Sequence, residues 1–529
     1  MIGGILKSNS NQKTSLLLLV LGLIALAGCW MLKVSTPFGL GLSNDSIAYI
    51  AGARAILRGQ GYSQIWLGSQ LQPITHFPPV LSSVLALISL SGLDPLRGAR
   101  LLNILLFGGN TVLLGIIGWR MTHSRVAGAM LSFLFISNSA LLRVHSFILS
   151  EPLYLFISLA VFLLFAIYIK KERTGWLVGT GSAAGLAYLT RYAGLALLAT
   201  LGMALVFLQK TGRKRITSLL VFFGSACPWL LAWTIRNKIL AGNLTNRTIQ
   251  WHPVTPDNLQ RGIYNFSRFL FPIEDWRRYL GKIPGFIEGI LLVIGLGLLA
   301  WLVIAGLKLL LKPTLTPQAD TLSFTNGSYI FGYLGSLLVS LYLFDASTPL
   351  KERILSPVYV ALLILLIAVG VWVWKLHKTY WRIVVLLVFL WISGISLFTQ
   401  YGVIHDLKKD GQGYASWQWN DSEIMEAVRR LSDDIMVYTN QTTAVYIWAD
   451  RPSLVLPNVI DPVTLQPFPD YQQGLEKMKS DILQGKAVMV IFNSADTEDP
   501  AFQENLEEIT TGLYLAQKSQ GDAIYTAQP

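Results

Sequence analysis

Carboxylates and arginines standing at the ends of long apolar runs are the residues of this sequence best placed to do chemistry, because an ionisable group beside a membrane span is costly to keep. Asp45 follows the first apolar run, in Ser43-Asn44-Asp45-Ser46-Ile47-Ala48-Tyr49. The stretch Ile47–Leu57 has helical period, so Asp45 and Tyr49 share one helix face. On spacing alone a carboxylate there reads first as a helix N-cap; it can also face a cavity as a general base. Ser150-Glu151-Pro152 opens a later run. Pro and Glu both fit a first helical turn, and Glu151 would also supply a second carboxylate to the same cavity. Leu189-Thr190-Arg191-Tyr192-Ala193-Gly194 interrupts the apolar stretch Trp176–Leu208. Arg191 there either snorkels to water or offers its planar fork to a phosphate, with Tyr192 beside it. Lys351-Glu352-Arg353 precedes another run and offers anion contact or interfacial anchoring. In His76-Phe77-Pro78-Pro79 the proline pair forbids an ongoing helix. His76 contacts a phosphate or an acceptor, or packs structurally.

These residues need a scaffold, and the composition says which kind. Of 529 residues 53% are hydrophobic and only 14% charged, too few charges to cover a soluble protein of this length. A hydrocarbon core takes roughly 20 apolar residues per helix. On that measure the sequence predicts about eleven spans, at 15–33, 101–120, 126–142, 152–169, 175–190, 193–209, 216–235, 286–307, 326–344, 354–374 and 381–398. Bulky Trp30-Met31-Leu32-Lys33 after the first run argues for a retained span over a cleaved leader. Short basic loops at Arg120–Arg125, Lys170–Arg173, Lys210–Arg215, Lys308–Lys312 and Lys375–Lys378 mark one side as cytoplasmic. That places the N-terminus inside and the C-terminus outside, in an inner (plasma) membrane. The long loop Val34–Arg100, a short one around Arg143–Glu151, the loop Asn237–Lys282 and the loop Asp345–Arg353 then share the outer face. Val80–Leu93 is short for a span and reads as an interfacial helix. The net charge of +12 is explained by these loops and does not call for nucleic acid. Cys29 and Cys227 fall inside spans and read as packed thiols, not as a disulfide framework or metal cluster.

From about Tyr401 the composition becomes that of a soluble protein, which divides the chain into a membrane domain, 1–400, and an extracytoplasmic domain, 401–529. Ser416–Leu431, Thr442–Ala449 and Tyr471–Leu483 read as helices; Asp434–Thr439, Ser453–Leu456 and Ala487–Phe492 read as strands. Such alternation predicts a small α/β layer with a partly parallel sheet. The domain carries no phosphate loop, nucleophile elbow or metal-ligand spacing, and a recognition or structural role fits it better than catalysis.

Taken in order, several short pieces resemble the GT-C superfamily of membrane glycosyltransferases, and within it the protein mannosyltransferase and aminoarabinose transferase branch (glycosyltransferase family 39/83-like). They are Asp45 with Tyr49, Phe77-Pro78-Pro79, Ser150-Glu151-Pro152-Leu153 and Ala187–Gly194. Pro228-Trp229 with Arg236-Asn237, Glu352–Pro357, and Val437–Asn440 with Ala444-Val445-Tyr446 and Arg451-Pro452 complete the set. The resemblance implies a polytopic helical fold of about eleven spans with a small outer α/β domain. It implies an inverting transfer of a monosaccharide from a polyprenyl-phosphate donor, at the outer leaflet, to an unidentified protein, lipid or glycan hydroxyl. By that resemblance Asp45 is the general base and Glu151 a second catalytic carboxylate. Tyr49, His76, Arg191, Tyr192, Glu352 and Arg353 contact substrate. The resemblance also allows a divalent metal, which no ligand cluster in the sequence demands. Two departures stand out: some relatives carry Lys near the Pro-Pro pair where this chain has His76-Phe77, and relatives often have Asp where it has Glu151. A flippase of lipid-linked sugars is the rival class, but it would be expected to show internal repeats and broken midplane helices, and no clear repeat is seen. A glycan polymerase or ligase is a closer rival and would need a diphosphate-linked donor.

Overall fold

Long runs of Leu, Ile, Val and Phe with few breakers leave the backbone no partner but itself, so helix dominates. The computed structural model describes residues 2–65, 71–242, 251, 253–311, 318–344, 350–459, 467–492, 500–519 and 521–528. Residues 66–70, 243–250, 252 and 345–349 of the loops expected on the outer face, and Lys312 of one basic turn, lie outside the described residues. The helices of the membrane region are α1 (Ile2–Ser35), α2 (Asn44–Leu57), α3 (Val80–Ser89), α4 (Pro95–Thr122), α5 (Arg125–Ile136), α6 (Ser139–His145), α7 (Glu151–Lys171) and α8 (Thr174–Thr190). They continue with α9 (Gly194–Leu208), α10 (Gly212–Ala241), α11 (Pro256–Leu270), α12 (Glu274–Leu280), α13 (Phe286–Leu311), α14 (Gln318–Leu343), α15 (Glu352–Trp374) and α16 (Thr379–Asp410). A two-residue ladder, β1 (Ser63–Gln64) with β2 (Gln72–Pro73), stiffens the loop between α2 and α3.

Each of the eleven expected spans falls on helix, though not all are full-length crossings. Among the described residues seven helices are long and apolar enough to span a bilayer, namely α1 from Thr14, α4, α7, α10, α13, α15 and α16. The bent pair α5–α6, broken by 66° around Ser137-Asn138, makes an eighth if counted as one span. Helices α8 and α9 are only 17 and 15 residues long, and α14 carries too many polar residues to pass the same test. The chain is a multi-span membrane protein. Exposed apolar side chains on α13 (Leu292, Val293) and α16 (Phe398, Trp391) face outward, as lipid-covered helices do. The core runs between α4, α5, α7, α8, α9, α14 and α15 through Phe107, Phe135, Phe165, Leu197, Tyr333 and Ile364.

The soluble part differs from expectation at its edges. Helix α16 continues to Asp410, past the expected boundary near residue 400, so the change in composition precedes the end of the helix. The predicted helix over 416–431 is two pieces, α17 (Trp417–Asn420) and α18 (Glu423–Arg430), because Ser422 turns out of the helix and caps α18 through Met425 N–H. There follow β3 (Met436–Thr439), α19 (Thr442–Trp448), β4 (Leu454–Val455), α20 (Tyr471–Leu483), β5 (Ala487–Ile491), α21 (Pro500–Thr510), β6 (Tyr514–Ser519) and β7 (Asp522–Thr526). The sheet order is β4-β3-β5-β7-β6. Strand β3 runs parallel to β4 and β5, and β7 antiparallel to β5 and β6. The partly parallel sheet agrees with the sequence pattern; α21 and the β6–β7 hairpin are elements that the pattern does not mark.

Candidate active site

The start of α2 decides where Asp45 points. Ser43 adopts the extended N-cap conformation, with φ −123° and ψ 174°, and its N–H donates to Ser46 Oγ at 2.9 Å. The cap is therefore Ser43, not Asp45. A carboxylate two positions inside the cap is spared that duty and can turn outward. Arg353 Nη1, at the start of α15, donates to Asp45 Oδ2 at 2.7 Å, both side chains being about one-third exposed (31% and 34%). No hydrogen bond to Asp45 Oδ1 is made by another described residue.

Tyr49 lies one turn on, buried, and its hydroxyl donates to Ser150 Oγ at 3.2 Å. Burial pushes the Tyr49 phenol up, far above its ordinary value, so it stays a neutral donor. Ser150 precedes α7 in a helical conformation and makes no cap bond, which leaves its hydroxyl available. Arg191 Nη1 also donates to Ser150 Oγ, at 3.1 Å, and reaches Glu151 Oε1 at 2.7 Å. The latter is an ion pair whose angles miss those of a hydrogen bond, and neither Glu151 oxygen accepts a hydrogen bond from another described residue. Glu151 is 1% exposed and Arg191 20%. Arg191 itself sits at the turn from α8 to α9. The turn is tight because Gly194 packs where a Cβ would collide with the backbone of Tyr188.

A short three-chain ladder sets the spacing between the carboxylates. Gly41 pairs in parallel with Phe147, through Gly41 N–H to Ser146 O at 2.7 Å and Ile148 N–H to Gly41 O at 3.0 Å. On its other side Leu42 pairs in parallel with Gly413. The approach to Asp45 is thereby fixed to the approach to Glu151.

The structure brings Asp45, Tyr49, Glu151, Arg191 and Arg353 into one electrostatic group; Arg353 senses the charges of Glu151, Asp45 and Arg191. The other expected contacts lie apart. Tyr192 faces away, its hydroxyl donating to Thr75 O at 3.4 Å and accepting from Trp233 Nε1 at 3.0 Å. His76 lies edge-on to Phe77, with ring centroids 4.9 Å apart, and Phe77 in turn packs edge-on to Tyr49. Glu352 turns from its neighbour Arg353 and accepts from Arg268 Nη1 of α11 at 2.5 Å. Arg268, Arg143, Glu274 and Asp406 line a cavity of about 250 Å³ between α6, α16 and the α11–α12 connection. Ser150 enters the sequence reading only as part of the Ser-Glu-Pro piece, and nothing local marks Tyr333, beside Arg191, or Arg268. Among the described residues no three His, Cys, Asp or Glu side chains gather as a metal site. Asp45 and Glu151 each already carry a guanidinium, so this pair of acids does not fit a divalent ion.

With that arrangement in place, the fold can be compared with known ones. ArnT from Cupriavidus metallidurans, solved bound to undecaprenyl phosphate, is similar at a TM-score of 0.53 and 14% identity, over 96% of this chain and 97% of that one. The oligosaccharyltransferase AglB from Archaeoglobus fulgidus, solved with an inhibitory peptide and a dolichol-phosphate, gives 0.56 and 12%, over 97% and 74%. The arabinofuranosyltransferase AftD from Mycobacteria gives 0.52 and 15%, over 96% and 41%. At such identities the likeness is one of fold, and the fold is that of the GT-C membrane glycosyltransferases. Within that class, residues 89–240 match the family described as dolichyl-phosphate-mannose-protein mannosyltransferase. The matched stretch contains Ser150, Glu151 and Arg191 but neither Asp45 nor Arg353. No curated protein matches the chain by sequence.

Proposed function

We propose that the protein transfers a monosaccharide, with inversion, from a polyprenyl-phosphate donor to an acceptor hydroxyl at the non-cytoplasmic face of an inner membrane. The single observation that carries this reading is the pairing of a one-third-exposed Asp45–Arg353 couple with a buried Glu151–Arg191 couple, contributed by α2, α15, α7 and the α8–α9 turn. Breaking the sugar–phosphate bond builds charge on the departing phosphate while the acceptor oxygen loses a proton. Asp45 Oδ1 takes the proton, and Arg353, with Arg191 behind it, offsets the phosphate charge. Glu151 is too deeply buried to meet an acceptor; it holds Arg191 in place. Glu352 and Arg268 brace α15 against α11 beside the cavity, which would admit a headgroup. The fold's likeness to proteins solved with undecaprenyl phosphate and dolichol-phosphate supports a lipid-phosphate donor.

The test uses membranes containing the full chain, supplied with polyprenyl-phosphate mannose, arabinofuranose or aminoarabinose, with transferred sugar read by mass spectrometry. Wild-type transfer and a loss of about a hundredfold or more in Asp45→Asn are expected, the lower end of what a general base contributes. Near wild-type transfer by Asp45→Asn discards the base assignment. No transfer from any donor discards the donor class.

A further inference from the structure

The residue before the base is held by the soluble domain. Asn44 Oδ1 accepts from Thr443 Oγ1 at 2.9 Å, and Thr443 is buried at the start of α19. The same oxygen lies 3.2 Å from the hydroxyl of Tyr414, which also donates to Gln441 Oε1 at 2.7 Å. A phenol has one proton for the two acceptors, so Thr443 is the firmer hold. The backbone repeats the contact. Tyr414 N–H donates to Leu42 O at 3.0 Å, and Leu42 N–H to Gln412 O at 3.4 Å. Gly413 has φ +56°, and a Cβ there would run into Leu42 O, so only glycine lets the two chains lie this close. Ser146 Oγ donates to Gln412 Oε1 at 2.7 Å and closes the third side.

A second grip lies further along α2. Arg54 stacks over the ring of Tyr446 of α19, 5.7 Å from its centroid, and pairs with Asp94 at 3.3 Å and Asp450 at 4.0 Å. Tyr446 and Ala415 join the same apolar cluster as Ile47, Ile50 and Ala51 of α2. Asn44 and Arg54 are ten residues apart, roughly 15 Å along a helix axis. Two holds at that separation fix both the position and the tilt of the helix that carries Asp45.

We propose that the soluble domain is a positioning element of the reaction centre, with Thr443 and Tyr414 holding Asn44 and thereby aiming the Asp45 carboxylate. This rests on Asp45 being the base. A domain that merely docks on the membrane region would use any part of its surface. This one places its polar contacts on Asn44 beside the base, on the chain leading to it, on Ser146 and on Arg54 of the same helix. A misplacement of about an ångström at a reacting group costs up to a hundredfold in rate. Loosening one side-chain hold should therefore slow the chemical step and leave donor binding alone.

The experiment compares Tyr414→Phe/Thr443→Val, Thr443→Val, Thr443→Ser and Asp45→Asn in the full membrane-embedded chain, with the donor that wild type turns over. The double variant should lose on the order of tenfold in kcat with donor KM within about twofold. Thr443→Val alone, nearly isosteric, should lose less, and Thr443→Ser, which keeps the hydroxyl, should restore turnover. Amide exchange over residues 41–49, which needs no donor, should quicken in the double variant while α7 and α15 stay protected. Unchanged exchange overturns the brace whatever the donor. So does wild-type kcat in the double variant, or an effect confined to KM, and in those cases an inactive Asp45→Asn leaves the base reading standing. An active Asp45→Asn removes the base and this proposal together.

Discussion

Helix α7 ends in a carboxylate at both tips, and the two are treated in opposite ways. Glu151 at its start is 1% exposed and meets one cation, Arg191, from a turn forty residues on. Glu172 just past its end is 38% exposed and meets two, Lys214 at 2.5 Å and Lys210 at 3.4 Å, across the α9–α10 turn. The first acid complements the helix dipole and the second opposes it, yet the first is the costly one, because burial strips water from both partners. The exposed pair ties basic turns together at one end of the bundle. Charge kept buried at the other end, where a water-facing Glu would have been cheaper, is what singles that end out as the proposed site.

The sharpest way to break this contrast is to remove one partner of the buried couple. Arg191→Met should leave Glu151 without its ion-pair partner and destabilise the folded chain by about 3–5 kcal/mol, read as a large fall in unfolding temperature in detergent. Arg191→Met/Glu151→Gln should recover most of that loss while remaining inactive. If the single variant is as stable as wild type, the couple is not a buried ion pair and the contrast fails.

The membrane scaffold was legible because apolar runs announce themselves locally, and the break at Arg191 was readable as the join of α8 and α9. What a side chain faces was less so. Spacing favours Asp45 as the cap of α2; the structure gives the cap to Ser43, two residues earlier. Glu352 and Arg353 are neighbours, but consecutive helical residues point about 100° apart, so one meets Arg268 and the other Asp45. The α5–α6 bend hides in an apolar stretch, where Asn138 turns its side chain to cap Leu141 and to donate to Tyr359. Strands β6 and β7 escaped because β6 is an exposed edge strand with little alternation. The grip on Asn44 joins residues 399 positions apart, beyond any local pattern.

A smaller effect separates a strut from a substrate contact. The Arg268–Glu352 pair is partly exposed, and Arg268 keeps Glu274 at 3.6 Å when Glu352 is lost. Glu352→Gln should cost about 1 kcal/mol of stability or less with donor KM unchanged. A several-fold rise in KM instead would put Glu352 in contact with the donor, and extend the site from the Asp45–Arg353 couple into the adjoining cavity.

The smallest effect belongs to the exposed tip of α7, and its sign can be worked out. Hydrogen bonding to Lys214, then to Lys210, holds the Glu172 carboxyl below its ordinary range. A carboxyl lowered in the folded state adds stability above its unfolded value, about 4.3. That contribution is lost as pH falls through the folded value. Glu172→Gln should therefore lower the unfolding temperature slightly near neutral pH, and the deficit should vanish in acid. The deficit should also shrink at high salt, since exposed pairs are screened. The same salt series on Arg191→Met should change little, because its partner is out of reach of counter-ions. Equal salt sensitivity at both tips would show that the two ends of α7 are not, after all, in different electrostatic surroundings.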